Sequence, residues 1–303
     1  MEMGVKRRTV STLVSRLGSV SEQARAESLA ELRLLTKHDP EVRPVVASFG
    51  AIPYLSECLY SSSIDVQENA AATLLNVSIS TKEELISDTG LLDALSHVLR
   101  HHSSSSSPSA VQAAAATIYS LLVQDSYRPV IGSKRDILYS LVDIIRFPRS
   151  ASRSIKDALK VLFLVAQHPS NRPALVGLGA VEVLFSLVMK DGRDGIVEDA
   201  TAVIAQVAGC ADSESEFGRV SGIRVLFDLL ETCLNLRIKE NVVGALLNLV
   251  RNGGEGVVTE LREIAAGFTE GITDVLQRGS DRGRSKAAAL LDVVVGEQWR
   301  VSD

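Results

Sequence analysis

Two distant stretches of this chain spell nearly the same phrase. One runs Gly50-Ala-Ile-Pro-Tyr-Leu-Ser-Glu-Cys-Leu and then Val66-Gln-Glu-Asn-Ala-Ala-Ala-Thr-Leu-Leu-Asn-Val-Ser; the other runs Gly222-Ile-Arg-Val-Leu-Phe-Asp-Leu-Leu and then Ile238-Lys-Glu-Asn-Val-Val-Gly-Ala-Leu-Leu-Asn-Leu-Val. A chain that repeats a glycine, a short apolar helix and a longer small-residue helix stacks copies of one unit, each burying its sides against the next. Such a stack has no single core that must stop growing, so the 303 residues form one array rather than separate globular domains. Function is then sought on the surface the stack creates, which points to binding before catalysis.

Gly50, Gly90, Gly179 and Gly222 mark equivalent points, at intervals of 40, 89 and 43 residues, and the 89 conceals a unit starting near Arg135. A period in the low forties fits two or three helices per unit. Each glycine is expected to stop a short first helix with a left-handed turn. Second helices are expected over 52–60, 91–100, 137–146, 181–189 and 223–233, and third helices over 64–79, 110–123, 154–167, 196–208 and 238–250, all with apolar residues at three- and four-residue steps. A partial unit opens the chain with helices over 10–17 and 22–36, and a second-plus-third pair closes it over 272–276 and 285–295. The units run 8–47, 48–87, 88–132, 133–176, 177–219, 220–266 and 267–296.

Composition agrees with closely stacked helices: 46% of residues are apolar but only 4% aromatic, so the interior is built from Leu, Val, Ile and Ala. The net charge of −5 argues against a general nucleic-acid binder. Cys58, Cys210 and Cys233 are odd in number and widely spaced, which fits reduced thiols and an intracellular protein better than a disulfide framework; the expected residence is cytoplasmic, with the nucleus as the alternative. The opening Met-Glu-Met-Gly lacks the apolar run of a secretory signal, and no stretch is long enough to span a bilayer.

Within the third helices, steps of four put Glu68, Ala72 and Asn76 on one face, likewise Glu198, Ala202 and Gln206, and Glu240, Gly244 and Asn248. The intervening units align Gln112, Ala116 and Ser120, then Ile155, Leu159 and Phe163, so a polar row meets an apolar interruption.

These phrases resemble armadillo repeats, in particular the C-terminal halves of plant U-box and armadillo proteins. The residues that carry the resemblance are Glu31-Leu-Arg-Leu-Leu-Thr-Lys, Gly50-Ala-Ile-Pro-Tyr-Leu, Gln67-Glu-Asn-Ala-Ala-Ala-Thr-Leu-Leu-Asn-Val-Ser and Asn171-Arg-Pro-Ala-Leu-Val, and it extends from about residue 8 to 295. It implies an all-α, right-handed superhelical armadillo solenoid whose third helices line a concave groove. In that family an asparagine near the end of each third helix hydrogen-bonds the backbone of an extended partner; the matching positions here are Arg33, Asn76, Ser120, Phe163, Gln206 and Asn248. Only two keep the asparagine, and the accompanying tryptophans of importin-like receptors are absent, Trp299 lying beyond the last helix. A nuclear-import adaptor is a poor fit. Nine residues before Val10 leave no room for a U-box of roughly 70 residues.

The candidate residues each have a plainer use. The amides of Asn76 and Asn248 either clamp a partner's main chain or bond between repeats. Arg33 either receives an acidic residue or pairs with Glu27, Glu31 or a neighbouring unit. Glu68, Glu198 and Glu240 form an acidic strip for a basic ligand or a solvated surface. Phe163 is an exposed anchor or packs inward. Arg146, Arg149, Arg153, Lys156 and Lys160 form a basic patch for acidic lipid or a phosphorylated partner, or a solvated edge. His101 and His102 precede a serine-rich stretch expected to be a mobile loop, and they lack metal-site companions. No phosphate loop or catalytic set stands out, and no cofactor or metal is implied. The leading reading is a noncatalytic scaffold or adaptor that binds a signalling or ubiquitin-pathway protein, or an extended peptide, along the groove. The alternatives are substrate recognition within a ubiquitin-ligase system and peripheral contact with acidic lipid or phosphoprotein through the basic patch.

Overall fold

The computed structural model describes residues 3–190, 193–266 and 269–295, so Trp299 lies outside the described residues. It divides into two compact units, 1–165 and 166–303. The first contains an opening pair, α1 (Met3–Leu17) and α2 (Glu22–His38), followed by triads α3 (Val42–Ser48), α4 (Ala51–Cys58), α5 (Ile64–Ser78) and α6 (Lys82–Ser87), α7 (Leu91–Arg100), α8 (Pro108–Leu122). The next triad is α9 (Arg128–Gly132), α10 (Arg135–Arg146) and α11 (Ser152–Gln167), in whose last turn the division falls. The second unit continues with α12 (Arg172–Gly177), α13 (Ala180–Lys190), α14 (Asp194–Val207), then α15 (Glu214–Arg219), α16 (Gly222–Thr232), α17 (Leu236–Asn252), and finally α18 (Glu255–Ala265), α19 (Glu270–Arg278), α20 (Asp281–Val295). Each repeat after the opening pair is three helices, and the closing one is a complete triad rather than the expected pair.

Third helices stack in succession: α2 on α5 and α5 on α8 in the first unit, α14 on α17 and α17 on α20 in the second. Their shared seams are filled by small and branched side chains such as Ala70, Ala71, Leu74 and Val77, all fully buried. Alanine at the seam lets helix axes approach closely, and leucine fills what remains at near-crystalline density.

The corner between first and second helices is left-handed at Gly50 and Gly179, both at φ 75°, as expected for glycine. Two expected sites differ. Gly90 is right-handed at φ −91°, its N–H accepted instead by the Asp88 carboxylate. In the fifth triad the left-handed residue is Ser221, at φ 50°, and Gly222 opens α16. Glycine is needed there for space: a Cβ at 222 would stand 3.0 Å from both Phe185 and Phe217, whose rings meet edge-on.

A second device recurs at the start of three first helices as an Arg-Pro dipeptide. Proline suits a first helical turn, where its missing N–H has no partner to lose. The arginine before it reaches back to the end of the preceding third helix: Arg43 Nε donates to Thr36 O at 2.8 Å, Arg128 Nε to Leu122 O at 3.1 Å and Arg172 Nε to Ala166 O at 2.9 Å. Carbonyls left open at a helix C-terminus thereby gain a cationic donor. Arg172 also donates to Gly209 O at 3.1 Å, and burial pushes its guanidinium down from its usual value.

Two lysines sit in otherwise apolar places. Lys6 falls on the stripe of Val10, Leu13 and Leu17 and bridges Asp39 (2.7 Å) and Glu41 (2.6 Å) at the α2–α3 corner. Lys239 pairs with Asp274 at 2.9 Å and ties α17 to α19. Cys58 and Cys210 are buried and Cys233 half-buried, all free. The serine stretch after α7 is a compact turn: the N–H groups of Ser104, Ser105 and Ser106 converge on His101 O at 3.1–3.2 Å, Ser106 is buried, and Ser107 caps α8.

Arg172→Ala removes two charge-assisted bonds from the part-buried start of α12, and we expect a loss of about 2 kcal/mol in urea unfolding, with Arg172→Lys restoring only part of it. The hydrogen bond from Lys239, then its charge and that of Arg278, hold the Asp274 carboxyl below its ordinary value. A depressed native value means the stabilisation is complete at neutral pH and is lost as pH falls below the ordinary carboxylate range. Asp274→Asn is therefore expected to lower stability at pH 7 and flatten its decline toward pH 3, read from urea midpoints across that range.

Candidate functional site

The third-helix face follows from the pattern of burial. Ala70, Ala71, Leu74 and Val77 of α5 are matched 44 residues later by Ala114, Ala115, Ile118 and Leu121 of α8, and 44 later again by Ala158, Leu159, Leu162 and Val165 of α11. A step of 42 then leads to Ala200, Thr201, Ile204 and Val207, and another to Val242, Val243, Leu246 and Leu249. In this register Asn76, Ser120, Gln206 and Asn248 occupy equivalent positions of their helices. It corrects α11: Ile155 and Leu159 are buried seam residues, and the outward row there is Lys156, Lys160 and Leu164. Phe163 moves one position off the asparagine row, into line with Leu75 and Tyr119. Arg33 is displaced in the same way, Leu34 taking its place. One residue of slip rotates a helix position by about 100°, enough to carry a side chain from seam to surface.

The asparagine amides are spent between repeats. Asn76 Nδ2 donates to Arg33 O (3.4 Å) and Thr36 Oγ1 (3.1 Å), and Asn248 Nδ2 to Ala205 O (2.8 Å). Asn241, which sequence reasoning passed over, repeats the first arrangement two turns higher, on Glu198 O (3.1 Å) and Thr201 Oγ1 (3.2 Å). Ser120 Oγ donates to Ser78 O at 3.1 Å, and Arg33 Nη1 to Asn69 Oδ1 at 2.9 Å. Gln206 is half-buried.

The three glutamates are likewise engaged, so they do not form a free acidic strip. Each accepts a hydrogen bond from the residue that caps the next third helix. Glu68 Oε1 takes the Ser107 hydroxyl at 2.6 Å, and Glu198 takes Asn235 Nδ2 at 3.5 Å with Arg237 at 3.3 Å. Glu240 takes both the N–H and, at 2.9 Å, the hydroxyl of Ser280. A carboxylate beside the start of a helix also faces the positive end of its dipole. Gly283 follows from this arrangement, since a Cβ there would lie 2.7 Å from the Glu240 carboxyl carbon.

An apolar group remains open on this face in the first unit. The Ser120–Ser78 bond draws the last turns of α5 and α8 together, and around it Ile79 (54% exposed), Tyr119 (41%) and Val123 (57%) stand in solvent; Leu34 on α2 is 57% exposed. Ile79 and Val123 are equivalent positions 44 residues apart, a recurrence visible in the sequence, but nothing in the sequence says that C-terminal turn faces outward. The basic patch separates into parts. Arg146 and Arg149 are exposed at the α10–α11 turn, Arg153 pairs with Asp157 at 3.2 Å, and Lys156 and Lys160 belong to the outward row. Among the described residues no group of three or more His, Cys, Asp and Glu side chains is placed to hold a metal, and no single helix is long and apolar enough to cross a membrane.

Three-helix units with this third-helix face define an armadillo-repeat protein. Solved structures agree on the fold: an engineered protein superposes at TM-score 0.80 (22% identical, 95% of this chain and 68% of that one). A computationally designed armadillo repeat protein for modular peptide recognition gives 0.65 (21% identical, 79% and 99%). The family model for the plant U-box protein ARM repeat region matches residues 9–291, and the chain belongs to that family. Among its relatives are U-box domain-containing protein 8 of Arabidopsis thaliana, 30% identical over 89% of this chain and 70% of the relative, and U-box domain-containing protein 19, 27% identical over 94% and 42%. U-box domain-containing protein 1 of Medicago truncatula is 32% identical over 93% and 40%. Against several such relatives the chain spans about two fifths of their length.

Glu240→Ala leaves the Ser280 N–H and hydroxyl without their acceptor. We expect a loss of about 1 kcal/mol, seen as faster amide exchange confined to the first turn of α20 and little changed in α14.

Proposed function

We propose that this chain is a noncatalytic protein-binding scaffold that holds an extended segment of a partner on its third-helix face. The observation that carries the reading is the exposed apolar group of Ile79, Tyr119 and Val123, set beside Asn76 and Ser120, whose side chains bond between repeats. Large side chains left in solvent on a rigid framework are anchors that lose little freedom on binding. The amides of Asn76 and Asn248 keep their carbonyl oxygens as acceptors for a partner's N–H groups, so the inter-repeat bonds and groove contact use opposite ends of one side chain. Substrate recognition within a ubiquitin-ligase system is the finer reading, supported by family membership and by relatives named for a U-box.

Triple substitution Ile79→Ser, Tyr119→Ser, Val123→Ser is expected to cut the set of proteins captured by proximity labelling in plant cells at least about tenfold, while helical content by circular dichroism is kept. An unchanged set would reject this face. Under the ligase reading the lost proteins also fall in ubiquitylation when the wild-type chain is replaced by the variant; unaltered ubiquitylation would leave a scaffold without that role.

A further inference from the structure

The α11 helix breaks the rule of its own array in one direction. At the position occupied by Glu68, Gln112, Glu198 and Glu240 in the other third helices it carries Lys156, and where they carry Ala72, Ala116, Ala202 and Gly244 it carries Lys160. Two acceptor or small sites have become two ammonium groups, one half-buried and one exposed. Phe163, half-buried, completes a line at i, i+4 and i+7 on one side of the helix. Among the described residues neither lysine has an ion-pair partner, and the nearby Asp157 is taken by Arg153.

Local helix physics does not explain these cations. Arg153 and Lys156 lie in the opening turns of α11, where the dipole favours negative charge. Nor does the seam explain them, because Ile155, Ala158, Leu159 and Leu162 already fill it. In a chain of net charge −5, two uncompensated lysines beside an aromatic ring ask for an anionic group from outside.

We propose that Lys156 and Lys160, with Phe163 beside them, form a recognition site for an acidic, extended protein segment carrying an apolar residue. This rests on the scaffold reading above and names the chemistry of the partner. Geometry favours a peptide: four helical residues advance about 6 Å, and two carboxylates two residues apart in an extended segment are separated by roughly 6.6 Å. One such segment meets both ammonium groups while its apolar side chain reaches the ring. A lipid surface is the poorer fit, because polybasic membrane sites gather about four to eight adjacent cations, whereas Arg146 and Arg149 belong to the α10–α11 turn and not to the α11 row, and Arg153 is paired.

The array supplies its own conservative variant. Lys156→Glu with Lys160→Ala places in α11 the residues that α5 and α14 carry at these positions, so folding is expected to persist, checked by circular dichroism and thermal midpoint. The probes are a fluorescein-labelled peptide with Glu, Glu and Leu at successive alternate positions, Ser-Glu-Ser-Glu-Ser-Leu-Ser, whose three side chains share one face when extended, the same peptide with Lys for Glu, and vesicles of phosphatidylcholine with phosphatidylserine. The wild-type chain is expected to bind the Glu peptide in a salt-sensitive manner, the double variant about tenfold or more weakly, and the Lys peptide to bind neither. Equal binding of the Glu peptide by both proteins, equal binding of the two peptides, or lysine-dependent binding of vesicles alone would overturn the proposal. The two readings fail separately: an unchanged captured set in the Ile79/Tyr119/Val123 variant rejects the scaffold reading, whereas loss of capture in that variant combined with full capture in the lysine variant would retain the scaffold and remove the acidic site. Lys156→Gln with Lys160→Gln serves as a second variant and is expected to give an intermediate loss.

Discussion

Side chains that cross from one third helix to the next are what the rest of this structure depends on. A helix that buries one seam against its neighbour has no reason, from apolar packing alone, to choose one axial position over another a turn away. Asn76 on Arg33 O, Asn241 on Glu198 O and Asn248 on Ala205 O remove that freedom, because a hydrogen bond is satisfied at one offset only. Glu68, Glu198 and Glu240 fix the same offset from the other end by holding the cap of the following helix. Both devices act over one repeat, so the chain specifies its stacking locally, unit by unit.

This changes how the polar row is understood. Residues that recur at a fixed position in an array invite a functional reading, yet here most of the recurrence is the lock between neighbours. Departures from the recurrence are then the informative positions. Where the lock is complete, as around Glu240 and Ser280, the surface is committed to its own architecture. Where it lapses, as at Lys156 and Lys160, side chains are released for something other than stacking. Selectivity in a modular surface arises in this way, from differences between otherwise equivalent units.

The arginines of Arg43, Arg128 and Arg172 extend the logic to the corners. A three-helix unit must turn the chain sharply between its third helix and the next first helix, leaving carbonyls exposed at the turn. A guanidinium donates to such a carbonyl and keeps its aliphatic stem on apolar neighbours. The second and third helices are thereby delivered at a repeatable angle to the seam, and the outward face inherits its regularity from the corner as much as from the helices that display it.

The architecture was legible from the amino-acid order because apolar periodicity, glycine corners and a period in the low forties are all short-range facts. Expected second and third helices agree with the observed ones to within a few residues, and family resemblance to plant U-box armadillo regions followed from the same phrases. The site was legible only in part. Asn76, Ser120, Gln206 and Asn248 were aligned by spacing, but α11 was read one residue out of register because Ile155 and Leu159 present a four-residue step indistinguishable on paper from the outward row. Which of two adjacent stripes faces the seam depends on what the neighbouring helices cover. Whether an amide or a carboxylate is free depends on a partner some 40 residues away in sequence, such as Thr36 for Asn76 or Ser280 for Glu240. Local sequence therefore determined the repeats and their order, while packing between repeats decided which side chains were used up in joining them and which, like Tyr119 and Lys160, were left exposed.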